Sequence, residues 1–265
     1  MRVHLRRNPS FRERSTAMER PTSPHQNALG QPVGASLSDW TPRPFPARET
    51  MQGRTCRLEP LDPARHADDL IAAFARDAEG RTWTYLPYGP FESADAHRAW
   101  LREISSQRDP QFYAIVDEAT GRAIGQASYL RIDPANGAIE VGHLAFSPLL
   151  QQTTAATEAM YLMMRRALEE YGYRRYEWKC DSLNGPSWSA AERLGFTFEG
   201  IFRQATVPKQ RNRDTTWLSI LDGEWPAIRD ALEGWLAPEN FDAEGRQRRS
   251  LLDFQRETGA RSTDG

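Results

Sequence analysis

The sequence predicts an α/β domain with a mixed, mostly antiparallel sheet and helices on both faces. Three observations carry this. Apolar runs of strand length, separated by short turns, fill Phe112 to Phe146 and read as an antiparallel meander. A polar turn and a long helical pattern follow, then a strand at Tyr176–Cys180. A second helix and a last hairpin complete the order. With 265 residues, 39% apolar content and 8 Trp, the chain can build one large domain or two small ones around a real core.

The elements follow in chain order. Residues 1–50 are rich in Pro, Ser, Arg and Gln without apolar periodicity, and read as a disordered or extended tail. Packing near Trp40 to Phe45 is the option that would order part of it. Thr55–Leu61 reads as a strand, and Ala64–Ala75 as a helix with Leu70, Ile71 and Phe74 at helical spacing. Trp83 to Pro90 is an aromatic loop. Ser93 is placed to cap a helix running to about Gln107. Phe112–Val116 and Ala123–Leu130 are strands joined by a turn at Glu118–Gly121, and Ala138–Phe146 completes the meander. The long helix is expected from Thr154 to Tyr171, with Gly172 as its C-cap. Phe198–Gln204 and Thr215–Leu221 form the last hairpin, and Trp225–Leu236 a further helix. From Pro238 the chain turns charged and is expected to fray. The domain expected is thus 51–236, between a tail at 1–50 and a charged tail at 237–265.

Net charge is −2, which gives no bulk attraction to nucleic acid. The 2 Cys, Cys56 and Cys180, make no disulfide framework and fit a reducing cytoplasm. No apolar run approaches the ~20 residues of a membrane span. The Arg-rich start, Arg2 to Arg14, lacks the apolar core of a secretory signal, and Glu13 and Glu19 weigh against a transit peptide. Met18 is an alternative start. No metal is expected, and monomer and homodimer stay equally open.

The order strand (Ile139–Phe146), turn (Gln151-Gln152-Thr153-Thr154), helix, strand, loop (Asn184-Gly185-Pro186-Ser187), helix ending Leu194-Gly195-Phe196 resembles the acyl-CoA-binding half of GNAT (GCN5-related) N-acetyltransferases. It looks closest to their ribosomal-protein (RimJ/RimL-like) branch. The resemblance covers about Thr55 to Trp225. It implies the GNAT acyl-CoA N-acyltransferase fold, acetyl-CoA as donor, and an amine acceptor attacked directly in a ternary complex. A non-catalytic GNAT-fold module that binds acyl-CoA or acts as a scaffold is the rival reading.

The resemblance implies a cofactor turn over Gln151, Gln152, Thr153, Thr154, Ala155 and Ala156, with Thr154 where relatives carry glycine. A helix N-terminus there would meet the pyrophosphate with free N–H groups. An ordinary capped helix start is the plainer account. Backbone groups of Leu144, Ala145 and Phe146 would pair with the pantetheine arm, and an N–H there would polarise the thioester carbonyl. Asn184 would touch the pantetheine. Ser187 would lie near the sulfur as proton donor, since the usual tyrosine position holds Ala191. An N-cap and a first-turn serine are the structural alternatives. Glu140 would act as base. On a regular strand His143 faces the other side, so it is a lesser candidate unless a bulge intervenes. Glu158 reads as structural. Trp83, Tyr85 and Tyr88 on the aromatic loop, with His143, Arg211 and Arg213, would border the acceptor; a solvated turn is the alternative for the two arginines.

Overall fold

The computed structural model describes residues 23–261, in two units that divide between Thr41 and Pro42. Arg2 to Arg14 and Met18 lie outside the described residues. The first unit carries a turn at Asn27, whose side-chain oxygen accepts from the N–H groups of Leu29 (2.9 Å) and Gln31 (3.0 Å).

The second unit is built on one sheet of eight strands: β1 (Met51–Gln52), β2 (Cys56–Pro60), β3 (Gln111–Asp117), β4 (Ala123–Asp133), β5 (Ala138–Phe146), β6 (Arg175–Asp181), β7 (Thr197–Thr206) and β8 (Arg213–Leu221). Their spatial order is β1-β2-β3-β4-β5-β6-β8-β7. Every neighbouring pair is antiparallel except β5 and β6, which run parallel. The crossover between those two is α3 (Thr154–Arg165) and the wide turn after it, where the sequence predicts a helix.

Alternation along the strands divides the side chains between two cores. On one face Ile139, Val141, Tyr176, Trp178, Leu218 and Ile220 pack with α3 and with α5 (Trp225–Leu236). On the other, Phe112, Ala114 and Val116 pack with α1 (Pro63–Phe74) and α2 (Ala94–Ser105). Asp62 caps α1, with proline in its first turn, and Ser93 caps α2 as expected. α4 (Gly185–Leu194) ends at Gly195, whose φ of 102° is a left-handed conformation that glycine supplies at least cost. No helix among the described residues is long and apolar enough to cross a membrane.

Three expectations change. The long helix stops being α-helical at Arg165 and widens into a π turn, Arg166–Glu170. That turn carries Arg166, which donates to the carbonyls of Glu49 (2.7 Å) and Thr50 (3.0 Å). Second, residues 42–50 form an ordered strap rather than a loose tail. Besides Arg166, the Tyr173 hydroxyl donates to Pro44 O, the Gln111 amide to Pro46 O and the Tyr113 hydroxyl to Ala47 O, at 3.1, 3.0 and 3.2 Å. Third, the segment after Leu236 holds α6 (Leu251–Thr258). Ser250 and Asp253 cap it reciprocally, and Leu251 is 2% exposed against α5. Its charge hides a short amphipathic pattern, Leu251, Leu252 and Phe254, that is long enough to pack.

Candidate active site

β5 and β6 are paired only from Ala138–Val141 to Arg175–Trp178. Beyond Val141, β5 runs on to Phe146 with no strand on that side, and β6 beyond Trp178 pairs with β8 alone. The separation coincides with a bulge. Gln126 of β4 faces Ala145, but Ser128 faces Gly142, so β5 spends one extra residue there. His143 takes up the irregularity at a φ of 51°. The bulge shifts the phase of the strand: Val141 joins the α3 side, whereas Ala145 joins the α1–α2 side. It also turns His143 toward Phe112 (5.0 Å between rings) and Tyr88 (5.6 Å) on the α1–α2 side, the side Glu140 faces. The opposite-face expectation for a regular strand therefore does not apply.

The open stretch of β5 contains Leu144, Ala145 and Phe146. It leads through Ser147–Leu150 to the start of α3. Gln151 donates from its side chain to Phe146 O at 2.8 Å, tying the turn to the strand end. Gln152 is left-handed, with φ 60°. Thr153, not Thr154, is the N-cap: its backbone is extended and its hydroxyl accepts from Ala156 N at 3.2 Å. Thr154 is thus the first helical residue. The N–H groups of Thr154 and Ala155 have no acceptor within the helix, and the helix dipole adds positive potential at that point.

Across the gap stands the loop from β6 to α4. Asn184 caps α4, accepting from Ser187 N at 3.2 Å. The Ser187 hydroxyl accepts from the Trp178 indole at 3.0 Å, which leaves its own proton free to donate. Burial pushes the Cys180 thiol up, and Ser187 beside it pulls the other way. Ser187 therefore sits where β5 and β6 part.

On the α1–α2 side of the paired end lies a charged ladder. Arg131 meets one oxygen of Glu140 at 2.6 Å and Lys179 the other at 2.9 Å. Lys179 also meets Glu177 (2.8 Å) and covers the Trp217 ring at 3.6 Å. Burial raises the Glu140 carboxyl above its ordinary range, against the pull of Lys179 and Arg131. Glu158, by contrast, accepts from the N–H groups of Arg54 (2.9 Å), Thr55 (2.6 Å) and Cys56 (3.0 Å), so it fastens the β1–β2 turn as expected.

The aromatic loop closes the other side. Trp83 is buried among Phe74, Tyr88, Phe91 and His97, so it shapes the loop from beneath and offers no face to an acceptor. Tyr88 meets His143 Nδ1 at 3.2 Å. Tyr85 donates to Leu183 O at 3.1 Å, and Lys209 donates to Trp83 O at 2.7 Å. The loop is therefore held by both the β6–α4 loop and the β7–β8 hairpin. Burial, with Arg131 and Arg213 adding to it, lowers His143 to about 4, so its imidazole is neutral at pH 7. Arg211 is exposed and has no side-chain partner among the described residues, the solvated-turn alternative. Arg213 opens β8 and faces inward.

Sequence reasoning missed Arg131, Lys179, Trp178 and Gln126. The alternation Glu177, Lys179 along β6 was the available signal for the ladder. Nothing local marks Trp178 as the partner of Ser187. Gln126 is wholly buried beside Tyr88, without a hydrogen bond of good geometry.

The sequence profile of the acetyltransferase (GNAT) domain matches residues 56–197. The chain belongs to the GNAT acetyltransferase family. A GCN5-related N-acetyltransferase from Brucella melitensis is 48% identical, with a TM-score of 0.81 over 83% of this chain and 99% of that one. A probable GNAT-family acetyltransferase from Chromobacterium violaceum is 44% identical, with a TM-score of 0.69 over 74% and 98%. The uncharacterized N-acetyltransferase YnaD of Bacillus subtilis is 23% identical over 59% of this chain and 90% of its own. RimL, the ribosomal L7/L12 acetyltransferase, is 21% identical and shares the fold alone. Membership makes the protein an N-acetyltransferase with acetyl-CoA as donor. The geometry fits that donor: an unpaired strand edge of Leu144, Ala145 and Phe146 leads to a helix start with free N–H groups.

Proposed function

We propose that the protein transfers the acetyl group of acetyl-CoA directly to a primary amine, the two substrates being held together. The observation that carries this is the parting of β5 and β6 at Val141, with the capped start of α3 on one side of the gap and Ser187 on the other. The backbone of Leu144 to Phe146 would bind the uncharged arm of the donor. Thr154, Ala155 and the Gln151–Gln152 turn would receive its phosphates. In the transfer the amine nitrogen bonds to the acetyl carbon, and the carbon–sulfur bond breaks. Ser187 would protonate the departing sulfur, which its free O–H supports.

The surplus proton of the amine needs an acceptor. Glu140 is the first assignment, supported by a carboxyl that burial raises toward the working pH. Both its oxygens already face cations, and this favours a second reading in which Nε2 of the neutral His143 takes the proton. Ser187, in place of the usual tyrosine, and Glu140 are the residues on which the resemblance to the ribosomal-protein branch rests. We take the working domain to be the expected 51–236 together with the strap at 42–50 and α6, which pack on it, and the two free, buried cysteines fit a reducing cytoplasm.

Acetyl-CoA at ~100 times its Kd should stabilise the fold by ~2.7 kcal/mol. No thermal shift at millimolar acetyl-CoA overturns the donor assignment. On a working acceptor, loss of the general base should lower kcat by ~10²–10⁴-fold. Glu140→Gln and His143→Asn compared over pH decide which group it is: the base variant flattens the limb of the profile, the other keeps it.

A further inference from the structure

One cation beside the gap, Arg213, forms no ion pair among the described residues. Its Nε is buried and has no hydrogen-bond partner, and no carboxylate among the described residues lies within ion-pair distance of it. Arg213 lowers the pKa of both His143 and Cys180, so its guanidinium stands near the bulge of β5 and the last turn of β6 at once.

The neighbouring carboxylates are already committed. Glu140 takes Arg131 and Lys179. Asp109 accepts from the N–H groups of Arg131 and Ile132, both at 3.0 Å. Asp181 accepts from Leu183 N at 2.9 Å. Asp214 accepts from Gln204 N at 2.7 Å and from the Asn212 amide at 3.0 Å. A buried guanidinium donor left without an acceptor is costly, and its planar fork suits a carboxylate. The donor cannot supply that anion under the reading above, on which this inference rests. Its phosphates belong with the start of α3, and the arm that enters the gap is uncharged.

We propose that the acceptor is a small amine that itself carries a carboxylate, an amino acid in its free form, and that Arg213 binds this carboxylate. Tyr88 meets His143 on the same side of the gap, and the wholly buried Gln126 stands behind it. The assignment makes Arg213 a specificity-determining residue. It also separates this site from one that reads a protein N-terminus, where the carboxylate is an amide.

The test is a matched panel, the free amino acids against their carboxamides, assayed by release of the free thiol of coenzyme A and by product mass. The free acids should be acetylated with kcat/KM at least ~100-fold above their amides, as expected where a site's polar group is left unpaired by the analogue. Arg213→Gln should bring that ratio near one by raising KM for the acids, while Arg213→Lys keeps part of the preference. Amides acetylated as well as acids, an Arg213→Gln loss equal for both, or turnover of neither overturns the proposal. The thermal shift of the wild-type enzyme with acetyl-CoA is read alongside. A shift with no turnover of acids condemns the acceptor class alone; no shift condemns the donor reading as well.

Discussion

The two ends of the β5–β6 pair are made of the same strands and behave oppositely. At the end from Ala138 to Val141 every β5 residue has a β6 partner, one face is apolar against α3, and the other carries the Glu140–Lys179–Glu177 ladder. At the end from Gly142 to Phe146 the strand has backbone groups to spare and a neutral histidine on the bulge. One added residue separates the paired end from the open one. Parallel pairing brings both C-terminal strand ends, and hence the starts of α3 and α4, to the same edge of the sheet. The bulge then opens the strands at that edge.

If the paired end is structural, its charges should cost stability rather than affinity for acetyl-CoA. Lys179→Met leaves Glu140 and Glu177 without their shared cation, in a site where the three side chains are at most 12% exposed. Breaking such a buried network should lower stability by about 3–5 kcal/mol, read from urea unfolding at neutral pH. A loss under ~1 kcal/mol, the range of surface pairs, would make the two ends alike.

Acid should find the same contrast. His97 on the buried face of α2 and His143 at the bulge are both lowered from 6.5 to about 4, by burial first. A neutral group that resists protonation in the fold stabilises it fully above about pH 6.5, and that contribution is lost as pH falls toward about 4. For the buried His97 the loss is at most about 3 kcal/mol. His97→Phe should remove that share of the pH dependence, and unfolding midpoints at pH 7 and pH 5 would show it. A wild-type midpoint that does not move between those values would mean that both imidazoles titrate normally.

The open end should answer in binding. Thr154→Asp places a charge among the N–H groups of the first turn, where it can still satisfy the helix. It should weaken acetyl-CoA by tenfold or more, about 1.4 kcal/mol, with little change in melting temperature; unchanged affinity in titration calorimetry would put the phosphates elsewhere. Thr153→Ala removes the cap itself, at about 1 kcal/mol of stability. A Thr153→Ala chain as stable as the wild type would mean that the turn is held by Gln151 and the strand end alone.

The strand–turn–helix of β5 and α3 was legible because its cues are local: an apolar run, a polar turn and a helical period in succession. The bulge was not. Its effect depends on how β4 pairs across from it, and Val-Gly-His-Leu-Ala reads like any strand. The cap at Thr153 rather than Thr154 turned on one residue's backbone conformation, which two adjacent threonines do not distinguish. α6 was readable in hindsight from Ser250 and Asp253 at capping spacing, but the arginines around it dominate the composition. The role of Arg213 needed the positions of four committed carboxylates from different parts of the chain.

The strap at 42–50 has a consequence of another kind. The body of the protein contributes side-chain donors, Gln111, Tyr113, Arg166 and Tyr173, and the strap contributes carbonyl oxygens. Every residue type carries a carbonyl. At those four bonds the seam is read by its presence and not by its spelling, and deleting it strands four donors at once. Arg48, which donates to Ser105 O at 2.8 Å, and Phe45, whose ring lies under Arg108 at 4.2 Å, hold it through their side chains instead. Homologues should keep a segment of this length before the first strand even where few letters of it are shared.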